Sequence, residues 1–97
     1  MTIKGGTFLS ENSRVLYCGP KSTTVITDGK FIGGAWGSVI EVGDSRKLFS
    51  MTGGSIDVKM TGSAIVCYNN KNNFKLDTKK VKITGDNFKD VSIRYIG

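Results

Sequence analysis

The sequence repeats at a spacing of about 25 residues, and this period limits the possible folds more than any other feature. One six-residue segment occurs four times, at offsets of 23, 25 and 25 residues: 3–8, 26–31, 51–56 and 76–81. A second segment repeats at offsets of 24 and 25 residues, at 15–18, 39–42 and 64–67, with 91–93 following one residue late. Two independent segments therefore share one period.

Each repeat contains three short apolar or alternating stretches separated by Gly, Asn, Asp and Ser. Stretches this short and this rich in β-branched residues are typical of strands with turns and do not match amphipathic helices. A repeat of about 25 residues with three strands fits one coil of a parallel β-helix, in which each strand pairs with its copy in the next coil. The predicted fold class is all-β, a short parallel β-helix of about four coils.

The alternation predicts six columns of inward side chains, one residue per coil. The columns are Met1, Thr24, Phe49, Phe74; Ile3, Ile26, Met51, Leu76; Phe8, Phe31, Ile56, Val81; Ser10, Gly33, Val58, Ile83; Leu16, Ile40, Ile65, Val91; and Cys18, Val42, Cys67, Ile93. All are apolar except Thr24, Ser10 and Gly33, whereas hydrophobic residues make up 38% of the chain. Gly6, Gly29 and Gly54 share one turn column, where Gly readily takes a positive φ.

In its period and column pattern, nearly the whole chain resembles the right-handed parallel β-helix proteins, the architecture of pectate lyases and many phage tailspikes. The resemblance implies a fold and carries no catalytic motif. In pectate lyases, carboxylates on adjacent coils bind calcium. Here Asp28 and Asp77 share a column, but Gly53 lies between them. We therefore expect neither that activity nor its metal.

The length of 97 residues predicts one domain, residues 1–97, with coils at about 1–23, 24–48, 49–73 and 74–97. No apolar run approaches the roughly 20 residues of a membrane-spanning helix. The first residues also lack the apolar stretch of a signal peptide. We therefore expect the protein in the cytoplasm of the producing or host cell, or in a virion if its role is structural.

The chain contains no His, which removes the usual general base, the Ser-His and Cys-His nucleophile pairs and the commonest metal ligand. It also has no phosphate-binding Gly-rich motif. The expectation is a protein that is not an enzyme and has no cofactor or metal. Cys18 and Cys67 lie in one column with Val42 between them, beyond disulfide reach, so both are predicted to be buried reduced thiols.

One outward face is strongly apolar. In the first three coils, this face consists of six residues, and all but Glu41 are apolar: Val15, Tyr17, Val39, Glu41, Ala64 and Val66. Trp36 lies in the loop before this strand, and Leu9 and Ile32 form a smaller outward pair on the neighbouring strand. Contiguous exposed apolar surface usually marks an interface, so these residues are candidates for binding a partner or a second copy. Alternatively, a loop or the chain end folds back over the face.

Lysines cluster in the last coil, and the net charge of the chain is +6. Lys75, Lys79, Lys80 and Lys82 are predicted to protect the open end of the coil stack from adding another strand. The alternative is a basic patch for nucleic acid or an acidic partner.

Three functions follow as hypotheses. The first is a small phage or mobile-element protein that covers a surface on a partner protein, as anti-defence inhibitors do. The second is a self-assembling β-helix of a virion spike or filament. The third is nucleic-acid binding through the Lys-rich last coil.

Overall fold

The computed structural model describes residues 1–10, 14–19, 23–33, 37–43, 48–59, 63–68, 73–85 and 93–96. These ranges form an all-β arrangement without an α-helix. The ten strands are β1 (Thr2–Leu9), β2 (Leu16–Cys18), β3 (Thr24–Gly33), β4 (Ser38–Val42), β5 (Phe49–Met51), β6 (Ser55–Val58), β7 (Ser63–Tyr68), β8 (Phe74–Leu76), β9 (Lys82–Gly85) and β10 (Ile93–Ile96). Within the same ranges, no helix has the length and apolar character to cross a bilayer.

All strand pairs are parallel and fall into two sheets. The six-stranded sheet has the order β8-β5-β3-β6-β9, and β1 pairs with β3 as well. The long strand β3 therefore has β1 along one side and both β5 and β6 along the other. The four-stranded sheet has the order β10-β7-β4-β2. In both sheets, paired strands belong to successive sequence repeats.

The strand register confirms the predicted columns through the first three repeats. Ile3 pairs with Ile26 and Ile26 with Met51 in the larger sheet. In the smaller sheet, Leu16 pairs with Ile40 and Ile40 with Ile65. Most of these columns form one buried hydrophobic core. The period of the sequence is therefore the spacing between paired strands.

Two pairs of aromatic rings extend this stacking. The rings of Phe8 and Phe31 are 5.1 Å apart and those of Phe49 and Phe74 are 5.2 Å apart, both nearly parallel. Each pair contributes about 0.5–1.5 kcal/mol beyond the area it buries. The stacks hold neighbouring repeats in register.

In the last repeat, β8 has the predicted register, with Phe74 beside Phe49 and Leu76 beside Met51. After β8, the predicted register is wrong by two residues. Ile56 pairs with Ile83, where Val81 was predicted, and Ile65 pairs with Ile93, where Val91 was predicted. The cause is a turn after β8, in which the carboxylate of Asp77 accepts hydrogen bonds from the backbone N–H groups of Lys79 and Lys80. This turn adds two residues between β8 and β9, a local change that a constant period does not reveal.

Val81 is buried at this turn. Its N–H donates to the carbonyl of Asp77 at 2.9 Å. The hydrophobic residue that the pattern places in the column therefore closes the turn, and Ile83 takes its place in the sheet.

The predicted positive-φ glycine column is confirmed. The φ angles of Gly6, Gly29 and Gly54 are 102°, 138° and 97°. At this corner successive repeats approach closely: a Cβ on Gly54 would lie 2.6 Å from the carbonyl oxygen of Gly29. The glycines therefore provide both the backbone conformation and the space for the close approach.

Candidate protein-binding edge

The predicted outward apolar face is largely covered. Val39, Ala64 and Val66 are buried, and Val39 and Ala64 belong to the hydrophobic core. Their expected exposure is therefore wrong, and for these three residues the alternative of a face covered within the chain applies. The central strands β4 and β7 are buried on both faces, a condition in which alternation does not distinguish core from surface. Trp36 lies outside the described residues.

Of the remaining candidates, Leu9 and Tyr17 lie on strands at one end of the sheets, whereas Ile32 lies in β3. Leu9 is 65% exposed and Tyr17 is 47% exposed, whereas Val15 and Ile32 are half-buried. Leu9 belongs to β1 and Tyr17 to β2, the strands of the first repeat. We call β1 and β2 together the N-terminal edge.

Each strand of the N-terminal edge has a neighbour on one side. β1 pairs with β3, β2 pairs with β4, and the described residues provide no strand on the other side of either. Two residues predicted to point inward, Met1 and Phe8, are therefore 52% and 37% exposed. Their columns end there, so Phe8 stacks on Phe31 and has no further aromatic ring of its column beyond it.

Among the described residues, no strand pairs with the backbone hydrogen-bonding groups on the outer side of β1. The carbonyl of Met1 accepts from Val25 N–H at 2.9 Å, and Ser10 N–H donates to the carbonyl of Ile32 at 3.0 Å. In a parallel pair, alternate residues direct both backbone groups to the same neighbour. Thr2 before the glycine corner, and Thr7 and Leu9 after it, therefore direct theirs to the open side. An unpaired edge of this kind is a template for another strand.

Tyr17 is held at the edge by Arg14. The guanidinium of Arg14 lies 4.7 Å from the centre of the Tyr17 ring. Its Nη1 is 3.3 Å from Oε1 of Glu41, the register partner of Tyr17 in β4. Such exposed contacts contribute little to stability. They do orient an aromatic side chain beside the open strand.

The opposite end of the sheets, formed by β8, β9 and β10, carries the lysine cluster. We call these three strands the C-terminal edge. Lys75, Lys79, Lys80 and Lys82 are all exposed, and none forms an ion pair with another described residue. Charged side chains on an edge strand discourage pairing with a further strand. The two ends of the protein therefore differ: the N-terminal edge exposes Leu9 and Tyr17, whereas the C-terminal edge exposes a cluster of four lysines.

Both cysteines are free and buried. Cys18 and Cys67 are separated in their column by Val42, as predicted. Burial raises the pKa of the Cys18 thiol, while a weak contact with the Thr24 hydroxyl and the charge of the N-terminal amino group oppose this rise. Sulfur is a poor hydrogen-bond partner, so Oγ1 of Thr24 has no effective partner among the residues that the structure describes. The Cys18 thiol is therefore protonated and shielded.

Alkaline pH is expected to destabilise the protein through Cys18. Because the pKa is raised in the folded state, folded Cys18 keeps its proton while the unfolded chain releases it above about pH 8.5. The contribution of Cys18 to the free energy of unfolding is complete below that pH and decreases above it. The free energy of unfolding in urea should decrease more steeply between pH 7 and pH 10 for the wild type than for Cys18→Ala. Parallel curves would contradict this expectation.

Among the described residues, no group of three or more acidic or cysteine side chains could hold a metal ion. Comparison with known protein families, curated proteins and solved structures finds no significant match.

Proposed function

We propose that the chain is a four-coil parallel β-helix that acts without catalysis, as a protein-binding element whose binding surface is the N-terminal edge. Both sheets contain one strand or strand pair from each repeat, in the order of the repeats, which supports a coiled path. Strand partners 23 to 25 residues apart support the same architecture through the third repeat.

The observation that carries the proposal is the unequal chemistry of the two ends. The N-terminal edge combines exposed apolar side chains, mainly Leu9 and Tyr17, with backbone groups on β1 that no described strand pairs with. A partner strand would satisfy those groups and cover the apolar side chains together, which is how β-strand addition achieves affinity and specificity. The C-terminal edge offers exposed lysines.

Of the roles predicted from the sequence, covering a surface on a partner protein fits this asymmetry best. A small phage or mobile-element inhibitor in the cytoplasm needs one adhesive surface, and the N-terminal edge supplies one. A virion spike or filament built by stacking coils needs two compatible ends. The apolar edge and the lysine-rich edge are poorly matched for that purpose.

Nucleic-acid binding has less support. The four exposed lysines are attractive to phosphate. Binding of single strands generally combines such charge with exposed aromatic rings on which bases stack. Phe74, the described aromatic in β8, is half-buried and stacks on Phe49.

A photo-crosslinking amino acid in place of Leu9 tests the proposal in cells that produce the protein. We expect a discrete covalent adduct with a protein, since Leu9 lies at the proposed contact. The matched control places the same amino acid at Lys82, which is exposed on β9. Equal crosslinking from both positions, or none from Leu9, would overturn the N-terminal edge as the binding surface.

A further inference from the structure

We propose that the N-terminal edge binds a second copy of itself, with β1 antiparallel to β1 of the other copy about a two-fold axis at the glycine corner. This inference rests on the proposed function and names its partner. It is drawn from three properties of β1: its hydrogen-bonding pattern, the faces of its side chains and the distribution of charge around it.

The hydrogen-bonding pattern fits only certain self-pairings. The residues with backbone groups on the open side are Thr2 before the corner and Thr7 and Leu9 after it. In an antiparallel pair, opposed residues exchange either two hydrogen bonds or none. The register that places Thr2 opposite Leu9 uses the open-side groups of both residues, and it places Thr7 opposite Lys4. Because the pairing is symmetric, each pair of opposed residues occurs twice in the dimer.

Side-chain direction fits the same register. Ile3 and Phe8 are members of the inward columns on either side of the corner, and Thr2 and Leu9 are their outward neighbours. The proposed pairing places Ile3 opposite Phe8 and Gly5 opposite Gly6, so each side chain meets one on its own face. The exposed part of the Phe8 side chain would then be shielded by the other copy. The break in strand alternation at Gly6, where φ is 102°, makes this match possible.

Charge favours joining two N-terminal edges over joining unlike edges. The described charges at the N-terminal edge are the amino group, Lys4 and Arg14, and Arg14 is paired with Glu41. Lys4 has Asp28 as its register neighbour in β3 and would face an uncharged Thr7. A head-to-tail arrangement would instead bring β1 against the exposed lysines of β8 and β9. Two-fold pairing closes after two copies and leaves the basic edges outward.

The first measurement is the mass of the purified chain by light scattering over a hundredfold concentration range. We expect a monomer–dimer equilibrium with no larger species. A monomer throughout would overturn the inference, but a crosslink from Leu9 to a different protein would still support the proposed function. Species larger than a dimer would also overturn it and would favour the filament alternative.

Two double variants test the register. Thr2→Lys with Leu9→Lys places like charges opposite each other across the two-fold axis, whereas Thr2→Glu with Leu9→Lys places opposite charges there. Within one chain, the register neighbours of Thr2 and Leu9 are the uncharged Val25 and Ile32, so the variants differ little as monomers. We expect the Lys/Lys dimer to dissociate with a Kd about tenfold higher than the Glu/Lys dimer at low salt, because each charge pair occurs twice.

Equal Kd values for the two double variants would overturn the proposed register. A non-specific apolar association would give that result, since both variants lose Leu9. Thr52→Lys is the control for an added charge elsewhere, because Thr52 is exposed and follows β5. Its dimer should match the wild type.

Discussion

Val39→Asp is expected to unfold the protein, whereas Tyr17→Asp should leave it folded. Both residues are on the outward side of the smaller sheet by alternation, but Val39 is fully buried and Tyr17 is 47% exposed. An unpaired carboxylate in the core costs several kcal/mol, a large part of the 5–15 kcal/mol that stabilises an ordinary domain. Thermal unfolding followed by circular dichroism would separate the two variants.

The comparison tests whether the outward face of β4 is covered. A Val39→Asp variant with the wild-type melting temperature would mean that this face is open to solvent and available as an interface. Tyr17→Asp should keep the wild-type melting temperature within a few degrees and lose binding through the N-terminal edge.

Gly54→Ala is expected to destabilise the protein by about 3 kcal/mol or more, because two costs act together. An L-residue rarely adopts a φ of 97°, and the added Cβ would approach the backbone of Gly29, which has no flexible side chain to move aside. Gly37→Ala is the matched control, since a Cβ there meets nothing within 4 Å. Its effect should stay within about 0.5 kcal/mol. Urea unfolding of both variants measures the difference.

A small effect of Gly54→Ala would mean that the corner between β5 and β6 can open without loss of the sheets. The stacked corner would then not be a requirement of the fold. Equal destabilisation by Gly37→Ala would show that loss of glycine itself, and not the close approach to Gly29, is responsible.

Much of the fold could be predicted from the sequence, because parallel strands from successive repeats align equivalent residues. The pairing of Ile3 with Ile26, and of Ile26 with Met51, follows from the period. The last repeat departs from it, because Asp77 builds a turn with two extra residues. A pattern that averages over repeats places Val81 in the column, since Val81 and Ile83 are both apolar and two residues apart.

The candidate site was harder to predict from the sequence than the fold. Leu9 and Tyr17 were among the predicted binding residues, but so were Val39, Ala64 and Val66, which are buried. Met1 and Phe8 were assigned to the core and are partly exposed at the N-terminal edge.

The sequence by itself determined the all-β class, the spacing of paired strands, the glycine corner and the column of Cys18, Val42 and Cys67. These features depend on the identity of residues at a fixed separation along the chain, which the period records directly. Only the tertiary structure decided which outward residues are covered, where the last repeat shifts and how the two edges differ. Burial depends on what lies beside a strand in space. The alternation of apolar and polar residues along a single strand does not show whether its face is covered or its edge is open.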